Sequence, residues 1–353
     1  MSGRLVVRAT YAGSLACLGA TLTACLGGSE RPAGQPGHPH QARDPAHAAG
    51  TPGEFSDEAR IFVVPVPGGR PVALTGSDDE HAPSGRSAAA VEDEHGEDAH
   101  AEIQVDNPIW SPDGSRIAFT RTPCEYCPPS LFVMEADGSR ARRLARVQNA
   151  FQPTWSPDGR RLAFLLPGAR GGIYVARAPA GRPRMVVRGA AAIEAPAWSP
   201  SGARIAFARQ LTATNWDLYA VGASGRRLRR LTRDTAQETT PAWSPDGRRI
   251  AYARQLAGGN WAIEVMSAAG TRRRRVTSRR VSAVEPTWSP DGRRIAFTLQ
   301  PRPDRSAIAI VNAAGGRHRL LTGDALFATQ PDWSPRGGDI AFAARELIGE
   351  QPD

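Results

Sequence analysis

A phrase of the form Pro-x-Trp-Ser-Pro-x-Gly, followed by Ile/Leu-Ala-Phe/Tyr, recurs six times, with tryptophans at Trp110, Trp155, Trp198, Trp243, Trp288 and Trp333. The intervals are 45, 43, 45, 45 and 45 residues. A unit of this length holds several short strands and cannot bury its apolar face alone. Copies must stack around a ring, the pattern of a β-propeller. The local chemistry agrees: Ser-Pro-Asp-Gly puts Pro second and Gly fourth in a type I turn. Apolar residues flank the turn, so the phrase reads as a hairpin.

A second hairpin follows each of the first five phrases, beginning at Leu131, Ile173, Leu218, Ile263 and Ile308. The sixth phrase runs from Trp333 to Phe342 and has none after it. A matching hairpin stands at the front instead, as Ile61-Phe62-Val63-Val64, a Gly68-Gly69 turn, and Leu74-Thr75. The expectation is an all-β, six-bladed propeller over residues 59–346, its last blade completed by N-terminal strands. Closure of this kind leaves no blade edge unpaired within the ring.

The repeated phrase resembles the propeller repeat of the TolB family, over about residues 60–345. The resemblance implies a TolB-like six-bladed propeller. TolB proteins carry an α/β domain ahead of the propeller; here the sequence shows a short leader and a tether in that place.

Arg4 and Arg8 precede a mildly apolar stretch from Ala9 to Ala24. It is too short for a stable membrane span. It ends in Leu22-Thr23-Ala24-Cys25, which looks like a bacterial lipobox. Residues 1–24 are therefore read as a lipoprotein signal peptide, with lipid on Cys25. The expected location is extracytoplasmic, anchored to a bacterial membrane. Residues 25–58 are rich in Pro, Gly, Ala and His, with too few aliphatics to offset ordering entropy, and read as a flexible tether. Residues 347–353 form a C-terminal tail.

All 44 basic residues are arginine, against 35 acidic residues, for a net charge of +9. The lack of lysine excludes Schiff-base, P-loop-lysine and Ser-Lys chemistry. Residues 1–100 carry 13 acids and 7 arginines, whereas 101–353 carry 22 and 37. Much of that excess falls on predicted fourth strands, such as Arg226, Arg227, Arg229, Arg230 and Arg233, then Arg272 to Arg275 with Arg279 and Arg280. Charge there blocks edge-to-edge association. It equally suits contact with an anionic surface. Nucleic acid is not expected as a partner of an exported chain.

Site candidates follow from position in the repeat. The six tryptophans are expected in the core as wedges between blades. The turn aspartates Asp113, Asp158, Asp246 and Asp291 are read as turn formers, since Ser201 and Arg336 fill the same place in two repeats. Loops entering the innermost strands should build a funnel mouth from Asp106, Asn107, Gln152, Glu194, Glu238, Glu285 and Gln330. Trp216 and Trp261 break the period and are candidate loop contacts. Cys124 and Cys127 are expected to form a disulfide, as export favours. An acidic insertion, 77–102, carries clustered carboxylates and His81, His95 and His100 without any EF-hand spacing. No metal site, cofactor or catalytic residue is identified. There is no G-x-S-x-G motif, and outside that insertion the propeller region holds a single histidine, His318.

These features favour a non-enzymatic, monomeric propeller that binds an envelope protein, peptide or other envelope component at its funnel. The alternatives are a sugar- or peptide-binding sensor and a carboxylate-based propeller hydrolase or lyase.

Overall fold

The computed structural model describes residues 56, 58–75, 103–124, 127–144, 147–168, 170–178, 180–189, 192–302, 304–323 and 325–346. Cys25, the tether through residue 55 and the acidic insertion lie outside them. The described elements are 24 strands in six four-stranded antiparallel sheets. Blade 1 runs Gln104–Trp110, Arg116–Thr122, Ser130–Glu135 and Arg142–Arg143. Blades 2 to 5 repeat the meander, with innermost strands Phe151–Trp155, Ile193–Trp198, Glu238–Trp243 and Ser282–Trp288. Blade 6 joins Leu326–Trp333 and Asp339–Glu346 to Arg60–Pro65 and Val72–Ala73. Arg60–Pro65 pairs antiparallel with residues 339–344, so the two parts of the chain share one sheet, as the repeat count predicts.

Each Ser-Pro-x-Gly turn closes in the same way. The Gly114 amide donates to the Ser111 carbonyl at 2.8 Å, and the Arg116 amide donates to Ser111 Oγ at 2.9 Å. Ser111 Oγ donates to Asp113 Oδ1 at 2.6 Å. That bond, with those from Ser115, holds the Asp113 carboxyl down at about 2. The equivalent carboxyls of Asp158, Asp246 and Asp291 are lowered by Ser156, Ser244 and Ser289. Such hydrogen bonds favour the charged form and fix the turn.

The tryptophans join the blades. All six are 4–8% exposed. Trp155, Trp243 and Trp288 donate through Nε1 to Ile109, Ala197 and Ala242, each carbonyl belonging to the preceding blade. Over five of the six rings lies an arginine from the preceding blade: Arg116 on Trp155, Arg161 on Trp198, Arg204 on Trp243, Arg249 on Trp288 and Arg294 on Trp333, at 4.6–5.1 Å. Such stacking stabilises by about 0.5–1 kcal/mol at partly exposed sites. Blade 6 departs, with Asp339 in the arginine's place and Arg336 donating instead to the Asp113 carbonyl of blade 1 at 3.4 Å.

Candidate funnel and the seam between blades 3 and 4

The six innermost strands surround the axis, and each carries a β-bulge before its Trp. The residue just ahead of the repeat proline takes a positive φ in every blade: Asn107, Gln152, Ala195, Thr240, Glu285 and Gln330, between 47° and 57°. Non-glycine residues adopt this conformation at a cost and need surrounding contacts to hold it. Those contacts form a chain from blade to blade. The Ala195 amide donates to Gln152 Oε1 at 2.7 Å, the Gln330 amide to Glu285 Oε2 at 2.8 Å, and the Asn107 amide to Gln330 Oε1 at 2.7 Å.

The residues expected at the funnel do not share one repeat position. Counted back from the Trp, the equivalents of Gln152 in blades 3 and 4 are Ala195 and Thr240, whereas Glu194 and Glu238 stand one and two residues earlier. Gln152, Glu285 and Gln330 use acceptor atoms to clamp neighbouring blades. Ala195 and Thr240 have side chains too short to continue the clamp.

Four carboxyls near the axis are pushed upward. Burial raises Asp106 to about 6, with Arg345 opposing. Burial also raises Asp332 to about 7, against hydrogen bonds from the Trp110 amide at 2.8 Å and Thr287 Oγ1 at 3.2 Å. Glu285 rises through burial, aided by the charge of Asp106 and opposed by the Thr298 hydroxyl and the Gln330 amide. Glu194 rises to about 7 through burial, with no hydrogen bond or charge among the described residues to oppose it. Asp332 was not foreseen. Its signal is visible in hindsight: the residue before Trp is Ile, Thr, Ala, Ala and Thr in the other five repeats.

Glu238 belongs to a different construction. In blades 1, 2, 3 and 6 an aromatic on the second strand stacks on one from the third, as Phe207 does on Tyr219. Blade 4 puts Tyr252 opposite Glu264, and the Tyr252 hydroxyl donates to Glu264 Oε2 at 2.9 Å. Around this pair Arg254 reaches Asp234 at 3.4 Å and Glu238 and Glu264 at 3.7 Å, and Arg273 reaches Asp234 at 2.6 Å and Glu238 at 3.2 Å. Nearby, Arg230 pairs with the fully buried Asp217. Burial still outweighs the guanidinium groups and lifts Glu238 to about 8. Buried polar atoms without a hydrogen-bond partner among the described residues concentrate here, including Glu238 Oε2, Arg254 Nε, Thr239 Oγ1, Thr240 Oγ1 and Asn215 Oδ1. The sequence signal was Tyr252 where every other repeat has Phe.

Trp261 is 5% exposed, too buried for a loop contact, and Trp216 packs half-buried against the core shared by blades 3 and 4. Cys124 and Cys127 are joined, with Cα atoms 5.0 Å apart. Among the described residues no group of three or more His, Cys, Asp or Glu is placed to hold a metal ion. Some rim arginines are spent on structure: Arg184, Arg229 and Arg274 donate to carbonyls of Ala223, Ala269 and Ala313 in the next blade at 3.0, 3.2 and 2.7 Å.

A closed ring of six meanders clamped around its innermost strands defines the class: a six-bladed β-propeller. Residues 125–350 match the TolB beta propeller domain, so the chain belongs to that family. A TolB-type protein from Agrobacterium tumefaciens superposes with a TM-score of 0.65 at 18% identity, covering 84% of this chain and 100% of that one. TolB from Acinetobacter baumannii gives 0.54 at 19% identity, over 70% of this chain and 64% of that one. The tricorn protease gives 0.52 at 16% identity, over 70% of this chain and 26% of that one. At these identities the likeness is one of fold. No curated protein matches the chain in sequence.

Proposed function

We propose that this chain is a non-enzymatic, extracytoplasmic propeller, tethered by lipid on Cys25, that binds an envelope protein, peptide or other envelope component at its funnel. The observation that carries the reading is Glu194: half-buried, raised to about 7, and opposed by no partner among the described residues. It stands where the clamp is broken at Ala195 and Thr240. An uncompensated carboxyl in a concave site costs stability, and a ligand's donor group supplies what the fold withholds. The test is capture of envelope components from solubilised membranes by the mature chain, compared with Glu194→Gln and Asp106→Asn. Loss of one specific component with these changes supports the reading. Its retention by both variants refutes it.

A second reading rests on Asp106 and Asp332, whose values of about 6 and 7 suit general acids. Turnover of envelope glycans or peptides, abolished by Asp332→Asn and without a stable partner, would favour a hydrolase or lyase.

A further inference from the structure

In a four-stranded meander the first and third connections emerge at the same end. All six blades point the same way around the axis, so twelve turns share one end of the propeller. These turns and their short outer strands span 66–71, 111–116, 135–143, 156–161, 177–184, 199–204, 222–230, 244–249, 267–275, 289–294, 312–319 and 334–339. They hold 26 arginines against seven acidic residues, an excess of 19 that exceeds the +9 of the whole chain. At the opposite end, the described residues of the loops 123–129, 144–150, 167–171, 189–192, 213–214, 231–237, 256–260, 276–281, 303–304 and 321–325 hold four arginines against two acids. The funnel carboxyl Glu194 and the seam residue Glu238 lie toward that second end, four and five residues before their Trp.

The basic end is not consumed by structure. Arg140, Arg160, Arg182, Arg226, Arg248 and Arg317 are exposed, come from five different blades, and make no ion pair or side-chain hydrogen bond with another described residue. An independent feature coincides with them. Four large hydrophobics are strongly exposed among the described residues: Val72 at 60%, Leu228 at 48%, Leu320 at 51% and Leu211 at 40%. Three of these, Val72, Leu228 and Leu320, stand on or beside the basic turns of blades 6, 3 and 5. Only Leu211 lies toward the other end.

We propose that the turn-bearing end of the propeller docks on an anionic phospholipid surface. A compact anionic ligand would be met by converging arginines in one cleft. Here the charge is spread around a rim several blades wide, which matches the distributed headgroup charge of a bilayer. Isolated apolar side chains set among the arginines can enter the interfacial layer, as aliphatic residues of peripheral membrane proteins do. Docked this way, the protein turns its other end, with Glu194, away from the membrane. The inference does not depend on what the funnel binds.

The test uses the full chain carrying Cys25→Ser, so that no lipid anchor contributes. Binding is measured by co-sedimentation with vesicles of phosphatidylcholine alone and of phosphatidylcholine with 30% phosphatidylglycerol. One variant combines Arg182→Glu, Arg226→Glu, Arg248→Glu and Arg317→Glu. A control makes the same charge change at the other end with Arg233→Glu, Arg279→Glu, Arg280→Glu and Arg302→Glu. Anionic vesicles are expected to bind at least about 10-fold tighter than neutral ones, with the preference fading at high salt. The turn variant should lose about 600-fold or more and the control far less, since each arginine near an anionic surface is worth about a five-fold change. Equal binding to both vesicle types overturns the proposal, as does equal loss in the two variants. Binding to a soluble polyanion such as heparin without binding to anionic vesicles also overturns it. Circular dichroism of each variant checks that the fold is kept.

Discussion

Glu194→Gln should make the protein more stable, and only above a certain pH. The carboxyl sits at about 7 in the folded chain against an ordinary value of 4.5, and burial is the cause. Between pH 4.5 and 7 the folded state keeps a proton that the unfolded chain has released, so stability falls as pH rises through that window. Above pH 7 the wild type carries an ionised carboxylate in the funnel at a cost of about 3 kcal/mol. Glutamine has nearly the same shape and no charge to desolvate. At pH 4 the two proteins should unfold at nearly the same denaturant concentration. At pH 8 the variant should be more stable by about 2–3 kcal/mol, or roughly 5 °C in Tm for a domain of this size. The assay is urea unfolding at half-unit steps from pH 4 to 9, followed by tryptophan fluorescence. A constant difference across the range, or one that grows toward acid pH, would refute the claim that Glu194 is desolvated and uncompensated. If Glu194 also receives the ligand, the same change should weaken capture while it strengthens the fold.

Gln330→Ala removes the acceptor that holds the Asn107 amide between blades 6 and 1, and an orphaned buried amide costs about 1–3 kcal/mol, measurable as a lower urea midpoint. Gly225→Ala should cost more than about 2 kcal/mol, because a Cβ there would lie 2.7 Å from the Val186 carbonyl of the neighbouring blade at a φ of +87°. Gly258→Ala, where a Cβ meets nothing within 4 Å, should leave the midpoint within about 0.5 kcal/mol of wild type. Tyr252→Phe restores the residue of the other repeats yet should destabilise by about 1–3 kcal/mol, since Glu264 loses the hydroxyl it accepts from; a neutral or stabilising result would show that Arg254 alone satisfies Glu264.

The ring was legible because its signal is local and repeated. Ser-Pro-x-Gly fixes a turn through bonds within six residues, and six copies in step leave one architecture. The closure was legible by counting, since one hairpin was missing behind Trp333 and one was spare at Ile61. The funnel was legible only in kind. Its residues were sought as the nearest polar side chains ahead of each Pro, so Glu194 and Glu238 were named at repeat positions one and two residues ahead of Ala195 and Thr240. A bulge adds a residue and turns the next one by a positive φ, so polarity is a poor guide to which side chain faces the axis. The fixed distance to Trp is the better guide. The seam between blades 3 and 4 was not legible, because Arg254, Arg273, Asp234 and Glu238 come from separate strands and loops and meet only once two blades have packed. Tyr252 was the single mark of it in the repeat.

Repetition also separates structural charge from charge with another use. An arginine that recurs at one repeat position with one partner, such as Arg204 over Trp243, is part of the frame. So is Arg229, which bonds the next blade's turn. Subtracting these from the turn-bearing end still leaves exposed arginines in several blades that make no ion pair or side-chain hydrogen bond with another described residue. The acidic residues do not subtract in the same way: Asp332 and Glu238 each stand alone at their repeat positions, and the position of Glu194 is acidic in one other repeat, at Asp106. Irregularity inside a regular ring costs stability without building the ring. Of the irregular positions, Glu194 and Glu238 stand at the end proposed for recognition, and the unspent arginines at the end proposed to meet the membrane. The two should titrate independently. Charge changes at the turns should leave the pH dependence of Glu194 unmoved, because the groups share no partner, and a shift in that dependence would mean that the ends are coupled through the blades.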